Sequence, residues 1–176
     1  MNDSRNVTDE FKGMPEIEII AELDKRGVEL EIAIENLERD FNMGTIVRNA
    51  NAFGVRHVHV IGRRQWNKRG AMATDKYLHI HYHQTTHDFT ALMNRQNKEI
   101  IAIDNIEGSV ELNKTKLPRN CVLIFGAEGP GLSEDILKMA RKIVAIEQLG
   151  STRSVNVGVA AGIVMYRWLQ DFPLHS

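Results

Sequence analysis

The chain predicts a single α/β domain, a mainly parallel sheet with helices on both faces. Three observations lead there. Short apolar runs at Val58–Ile61, Val122–Phe125 and Ile143–Ile146 read as buried strands, because strands covered on both faces are apolar throughout. Stretches with helical spacing of apolar residues alternate with the strands, the order that yields a parallel sheet. The last two runs each empty into a loop rich in glycine and small polar residues, and open α/β sheets bind ligands at such strand ends.

A length of 176 residues suits one compact domain. A hydrophobic share of 43% and a charged share of 26% are those of an ordinary globular protein. The formal net charge is −1, so any nucleic-acid binding has to come from a local patch. Cys121, the single cysteine, has no internal disulfide partner and fits a reducing, cytoplasmic setting. It reads either as an inert buried thiol or as a reactive one. No uncharged apolar run reaches the roughly 18 residues of a membrane span, and the polar, acidic start does not resemble a signal peptide.

Taken in order, residues 1–14 read as a loose arm. A short amphipathic helix then starts at Pro15, carries Ile17, Ile20 and Leu23, and closes at Lys25-Arg26-Gly27. Val28–Asn36 alternates acidic and apolar side chains, the pattern of a strand. Phe41–Val55 reads as a helix with Asn42 as its cap and Gly54 as its left-handed end. After the strand at Val58–Ile61 comes a basic loop, Arg63–Lys76, with one tryptophan. Leu78–His83 reads as a short strand, Asp88–Asn94 as a helix and Glu99–Ile103 as a strand. Ser133 caps a helix over Glu134–Arg141, acidic in its first turn and basic in its last. The final helix, Asn156–Leu169, opens with Gly158, Ala160, Ala161 and Gly162, small enough for close backbone approach or for a ligand at its N-terminus.

Several motifs carry two readings each. Gly126-Ala-Glu-Gly-Pro-Gly131 has neither dinucleotide-binding nor P-loop spacing; it is either a tight turn or a ligand loop in which Glu128 accepts hydrogen bonds. Asn42 and Arg48 are a cap and a solvated arginine, or they converge on a ligand. His79, His81 and His83 share one strand face, which is either a metal-ligand geometry or an exposed, RNA-facing one. Arg63, Arg64, Lys68 and Arg69 around Trp66 form a solvated loop or a surface that binds phosphates and stacks a base.

Three segments together resemble the SpoU/TrmH family of S-adenosylmethionine-dependent RNA ribose methyltransferases, part of the knotted SPOUT superfamily. The first is Asn42-Met-Gly-Thr-Ile-Val-Arg48 with Ala50, Phe53 and Gly54, similar to the family's N-x-G-x-x-x-R-x-A-x-x-F-G. The second is Phe125-Gly-Ala-Glu128-Gly-Pro-Gly-Leu-Ser133. The third runs from Ile146 through Gly150 to Ser154-Val-Asn156-Val157. They stand in family order over about residues 30–170.

The resemblance implies a C-terminal trefoil knot, an N-terminal arm and helix over 1–27, and a methyltransferase domain over 28–172. It also implies transfer of a methyl group from S-adenosylmethionine to a ribose 2′-hydroxyl of tRNA or rRNA, without a metal. Phe125, Gly126, Ala127, Gly129, Ile146, Leu149, Gly150, Ser154, Val155 and Asn156 would hold the cofactor. Asn42, Arg48, Glu128, Ser154 and Asn156 would carry catalysis. Relatives are dimers whose sites take residues from both chains, which points to a homodimer through the C-terminal helix. The family's Pro-Met after the strand-end isoleucine is Glu147-Gln148 here. A non-catalytic RNA-binding or ribosome-assembly protein on the same fold, and a flavodoxin-like nucleotide or flavin binder, are the competing readings.

Overall fold

The computed structural model describes residues 7–36, 42–126, 131–152 and 154–173. Its frame is a seven-stranded sheet made of β1 (Glu31–Asn36), β2 (His57–Gly62), β3 (His79–His83), β4 (Glu99–Ile103), β5 (Val110–Glu111), β6 (Cys121–Phe125) and β7 (Lys142–Ala145). The order across the sheet is β3-β2-β1-β6-β4-β7-β5, and every pairing is parallel. Among the described residues five α-helices cover it: α1 (Glu16–Lys25), α2 (Met43–Ala52), α3 (Thr86–Arg95), α4 (Glu134–Met139) and α5 (Val157–Asp171).

Two cores result from the two faces. On one, Met43, Ile46 and Val47 of α2 and Ala161, Val164, Met165 and Trp168 of α5 meet Ile32, Val58, Leu123 and Val144. On the other, Phe89 and Met93 of α3 and Ile136 of α4 meet Ala33, Ile100, Val122 and Ile124. Covering both faces removes the alternation expected along β1. Glu31 and Glu35 are only 7% and 1% exposed. Burying a carboxylate is costly unless it is bonded, and both are. Glu31 accepts from His59 at 2.8 Å and lies 3.3 Å from the Lys98 ammonium. Glu35 accepts from the Ser133 amide and hydroxyl at 2.7 and 2.6 Å, tying the loop after β6 to the end of β1.

Residues 7–14 are not a loose arm. Phe11 is seated with Ile19 and Tyr77 in a third small cluster, with Leu23 against it. Burying an aromatic ring, worth about 2 kcal/mol by area, holds the segment and α1 onto the turn at Thr74–Tyr77. Gly54 has φ +76°, as its place at the end of α2 requires. Cys121 is buried, and that burial pushes its thiol up to about 12, so it is inert.

Candidate functional site

The carboxyl ends of β4, β6 and β7 and the start of α5 enclose a cleft of about 390 Å3. Ile103, Phe125, Ile146, Val155 and Val157 supply its apolar wall; Asp104, Asn105, Gln148, Ser154 and Asn156 supply its polar groups. Among the described lining residues the one charge is the Asp104 carboxylate, and none is cationic. Such a lining suits a ligand with an apolar body and positive charge, and disfavours one carrying phosphates.

Glycines let this region close up. A Cβ on Gly126 would lie 2.3 Å from the Gly131 carbonyl carbon, so the strand exit passes directly against the returning loop. A Cβ on Gly158 would lie 2.8 Å from Thr45 Cγ2, and one on Gly162 3.1 Å from Asn49 Nδ2. Asn49 Nδ2 donates to the Gly158 carbonyl at 3.0 Å. The small residues of α5 therefore serve its packing against α2, while Ala160 and the residues before the helix face the cleft.

Asn156, not Asn42, is the capping asparagine. Its Oδ1 accepts from the amides of Gly158 and Val159 at 3.0 and 3.3 Å. Asn42 stands at the start of α2 in helical conformation, and its side chain makes no cap bond there. Its Oδ1 instead accepts from Asn156 Nδ2 at 3.0 Å. The first and third motifs thus meet at the mouth of the cleft, although 114 residues separate the two asparagines.

The cleft gathers Phe125, Gly126, Ile146, Ser154, Val155 and Asn156. Leu149 and Gly150 stand outside it, Leu149 fully exposed. Arg48 is exposed on α2 and does not line the cleft of its own chain. Ala127, Glu128 and Gly129 lie outside the described residues.

The basic loop packs on the start of α2. A Cβ on Gly44 would lie 2.7 Å from the Ala71 nitrogen and 2.8 Å from both Gly70 N and Gly70 Cα. Asn36 Nδ2, at the end of β1, donates to the carbonyls of Arg63 and Gln65. Arg63, Arg64, Lys68 and Arg69 are exposed. Trp66 packs against the main core, with the Lys68 ammonium 5.5 Å from its ring centre, so it is not a free stacking platform. Lys68 also pairs with Asp75 at 2.6 Å, and Arg64 lies over Tyr82.

The model of the SpoU rRNA Methylase family matches residues 29–166. The chain belongs to this family. The tRNA (guanosine(18)-2′-O)-methyltransferase of Escherichia coli K12 is 25% identical over 147 residues, covering 82% of this chain and 64% of the relative. This SpoU chain therefore spans a little under two thirds of that relative's length. The enzyme of the same description from Aquifex aeolicus is 28% identical, covering 82% of the chain and 70% of the relative. A solved A. aeolicus TrmH/SpoU tRNA modifying enzyme shares the fold, with TM-score 0.76 at 24% identity over 89% of this chain and 83% of that one.

One feature of this SpoU chain concerns its histidines. His79, His57, His81, His59 and His83 stack in that order across β2 and β3, with ring centres 5.0, 5.2, 4.9 and 5.1 Å apart. They are bonded in pairs: His57 Nδ1 to His81 Nε2 and His59 Nδ1 to His83 Nε2, each at 2.9 Å. His59 Nε2 meets the Glu31 carboxylate, which only accepts. Its Nδ1 is then an acceptor while the ring is neutral, and His83 Nε2 is the donor. Among the described residues no group of three or more ligating side chains is arranged to hold a metal ion.

Each paired bond needs one donor and one acceptor, so the two rings of a pair cannot both be protonated. Burial, reinforced by the repulsion that a second protonated ring of the stack would exert, lowers His81 to about 4. Burial also lowers His57 and His83, against the opposing pull of Glu31 on the first and Asp88 on the second. An unfolded histidine takes its proton near pH 6.5. The folded state resists that proton, so the stack's stabilisation is complete above about pH 6.5 and is lost as pH falls toward 4. The melting temperature should fall through that window, and less steeply in His81→Leu. Equal slopes for the two proteins would remove the stack as the cause.

Asp104 and Asn105 line the cleft although no motif marks them, while Gln148 is half of the Glu147-Gln148 departure from the family pattern. Asp104 and Asn105 directly follow the apolar run of β4, and polar residues at the carboxyl end of a buried parallel strand were the available signal. Glu35 was hidden by its place in an apparent alternation.

Proposed function

We propose that this protein transfers a methyl group from S-adenosylmethionine to a ribose 2′-hydroxyl of tRNA or rRNA, acting in the cytoplasm as a homodimer. The observation that carries this is the cleft at the ends of β4, β6 and β7, whose one described charge is the Asp104 carboxylate. A cationic sulfonium with an ammonium group and an apolar-faced base suits that lining better than a phosphorylated nucleotide or flavin. Gln148 adds an uncharged polar side chain to the same lining. Family membership and the names of the relatives support the same reaction. They also support the trefoil knot at the C-terminal end of the domain.

When bound, the cofactor supplies an electrophilic methyl on a sulfonium, and no protein nucleophile is needed. Phe125, Gly126, Ile146 and Val155 hold the apolar body, and Asp104 faces the positive charge. Asn156 holds the mouth of the cleft and, through Asn42, fixes where α2 begins. Ser154 and Asn156 stand where a ribose would enter. These residues would place the ribose hydroxyl beside the cofactor's methyl group, and the hydroxyl proton would pass to water. Arg48 stabilises the charge developing on that oxygen and anchors an adjacent phosphate. It is an awkward base, since neutralising a guanidinium at pH 7 costs roughly 8–9 kcal/mol. Glu128 orients it. The exposed side chains Arg63, Arg64, Lys68 and Arg69 bind the RNA backbone, with Trp66 as their buttress.

Dimerisation uses α5. Val159, Ile163 and Tyr166 recur at helical spacing and are 52%, 41% and 54% exposed, a stripe that asks for a cover. Arg48 lies outside its own cleft, which supports its acting in the partner's. Light scattering at micromolar concentration should give twice the chain mass of 20.0 kDa. A monomer would refute this assembly.

Thermal melting with S-adenosylhomocysteine, before and after chelation, tests the cofactor. An upward shift unaffected by chelator is expected, about 2.7 kcal/mol at a hundredfold excess over the dissociation constant. No shift at saturating ligand sinks the reading.

A further inference from the structure

The opposite end of the sheet carries another opening, one that methyl transfer does not use. A groove of about 430 Å3 lies at the amino ends of β4 and β7, beside the loop before β6 and the end of α5. Four cations stand along it, Lys116, Arg119, Arg141 and Lys142, against one lining carboxylate, Glu99. The whole chain has a formal charge of −1, so this is a local concentration of one sign. Trp168 Nε1 donates to the Pro118 carbonyl at 2.9 Å, which holds the loop before β6 to α5. The Phe172 ring holds two of the cations by its faces, with the Lys116 ammonium 5.3 Å and the Arg119 guanidinium carbon 5.9 Å from its centre.

The partners of these cations leave positive charge over. Arg141 meets Glu99 and Arg119 meets Glu29, each through Nε, and a guanidinium has four further N–H donors. Among the described residues neither Lys116 nor Lys142 pairs with a carboxylate. Lys142, half-buried at the start of β7, donates its ammonium to the Thr115 hydroxyl at 2.7 Å. A half-buried ammonium bonded to a neutral hydroxyl keeps its charge uncompensated, and an arriving anion relieves that. Cations spaced along an open groove suit a chain that carries a charge at every unit, which a phosphodiester backbone does. The groove and the candidate cleft stand at the two ends of β4, five residues or roughly 16 Å apart at ~3.3 Å per residue. We propose that this groove is an RNA-binding surface that takes the phosphate backbone of the substrate away from the methyl acceptor. It rests on the reading of the chain as an RNA methyltransferase, and adds to it a contact outside the basic loop after β2. Phosphate contacts of this kind fix register and orientation and carry no base preference.

Filter binding of the full chain to labelled bulk tRNA and to fragmented bulk rRNA, each over a salt series, tests this. For the RNA that wild type retains, Lys116→Gln/Lys142→Gln should flatten the slope of log affinity against log salt. The change should be about 1.4–1.8, two phosphate contacts at ~0.7–0.9 each, with binding about tenfold weaker at low salt. Lys116→Arg/Lys142→Arg keeps both charges and should keep the wild-type slope, which separates lost charge from a disturbed β7. Lys12→Gln/Lys138→Gln removes two exposed cations elsewhere and should also leave the slope unchanged. A glutamine pair at 116 and 142 with the wild-type slope overturns the role of the groove and leaves the RNA reading standing. An arginine pair that falls as far as the glutamine pair does the same, as does an equal fall in the variant at 12 and 138. Wild type that retains neither RNA overturns the RNA reading and the groove with it.

Discussion

Arg48→Ala lowers methyl transfer by about a thousandfold, the scale seen when a donor to a developing oxyanion is removed, and leaves affinity for S-adenosylhomocysteine nearly unchanged. The split follows from placement. Arg48 is exposed on α2, outside the cleft lined by the loops after β4, β6 and β7. Arg48→Lys keeps a charge and loses the planar fork, so weak activity should remain. Asn156→Ala should impair binding and activity together. It removes the cap of α5 and the bond to Asn42, a loss of about 1 kcal/mol for the cap alone. Single-turnover methylation of bulk RNA and calorimetry on the same preparations give both readouts. An Arg48→Ala protein that methylates at the wild-type rate would show that the hydroxyl is activated elsewhere.

A large stability effect of a small change is expected at Gly44. Gly44→Ala places a methyl 2.7–2.8 Å from three backbone atoms, Ala71 N, Gly70 N and Gly70 Cα. A flexible side chain would yield, but backbone held between α2 and the basic loop does not. The cost should be about 3 kcal/mol, or roughly 6–12 °C in melting temperature for a domain of this size. Gly150→Ala is the control, because nothing lies within 4 Å of its added Cβ. Equal melting temperatures for the two variants would mean that the loop at Gly70 readily moves away.

That pair shows what a sequence conveys and what it hides. Gly44 and Gly150 are both family-motif glycines in the sequence, and only the approach of Gly70 tells them apart. β4 is found where its apolar run stands, since burial on both faces writes itself into composition. Along β1 the same burial was masked by Glu31 and Glu35, whose partners come from β2, α4's cap and Lys98. The two residues of β5 are too few to carry a pattern, and their pairing is set by β7. Phe11 looks like part of a polar tail until Ile19 and Tyr77 are brought beside it. For the candidate site, the motifs identified the strand-end loops. The exchange of capping roles between Asn42 and Asn156 depends on a contact across 114 residues, which no local rule expresses. Gln148 stands out in the sequence only as a departure from a family habit, and the fold places it in the cleft lining.

Strand order also bears on how the chain is made. β1, β2 and β3 pair in the order in which they leave the ribosome, so their crossovers close early. The other edge of β1 waits for β6, which begins at Cys121. Until then a nascent chain presents an open apolar edge at Ile32 and Ile34, the kind of edge that recruits foreign strands. α5, which brings Val164, Met165 and Trp168 to close the core, emerges later still. The half of the protein that binds is thus the last to exist during translation. A chain stalled before residue 121 should be an avid client for chaperones.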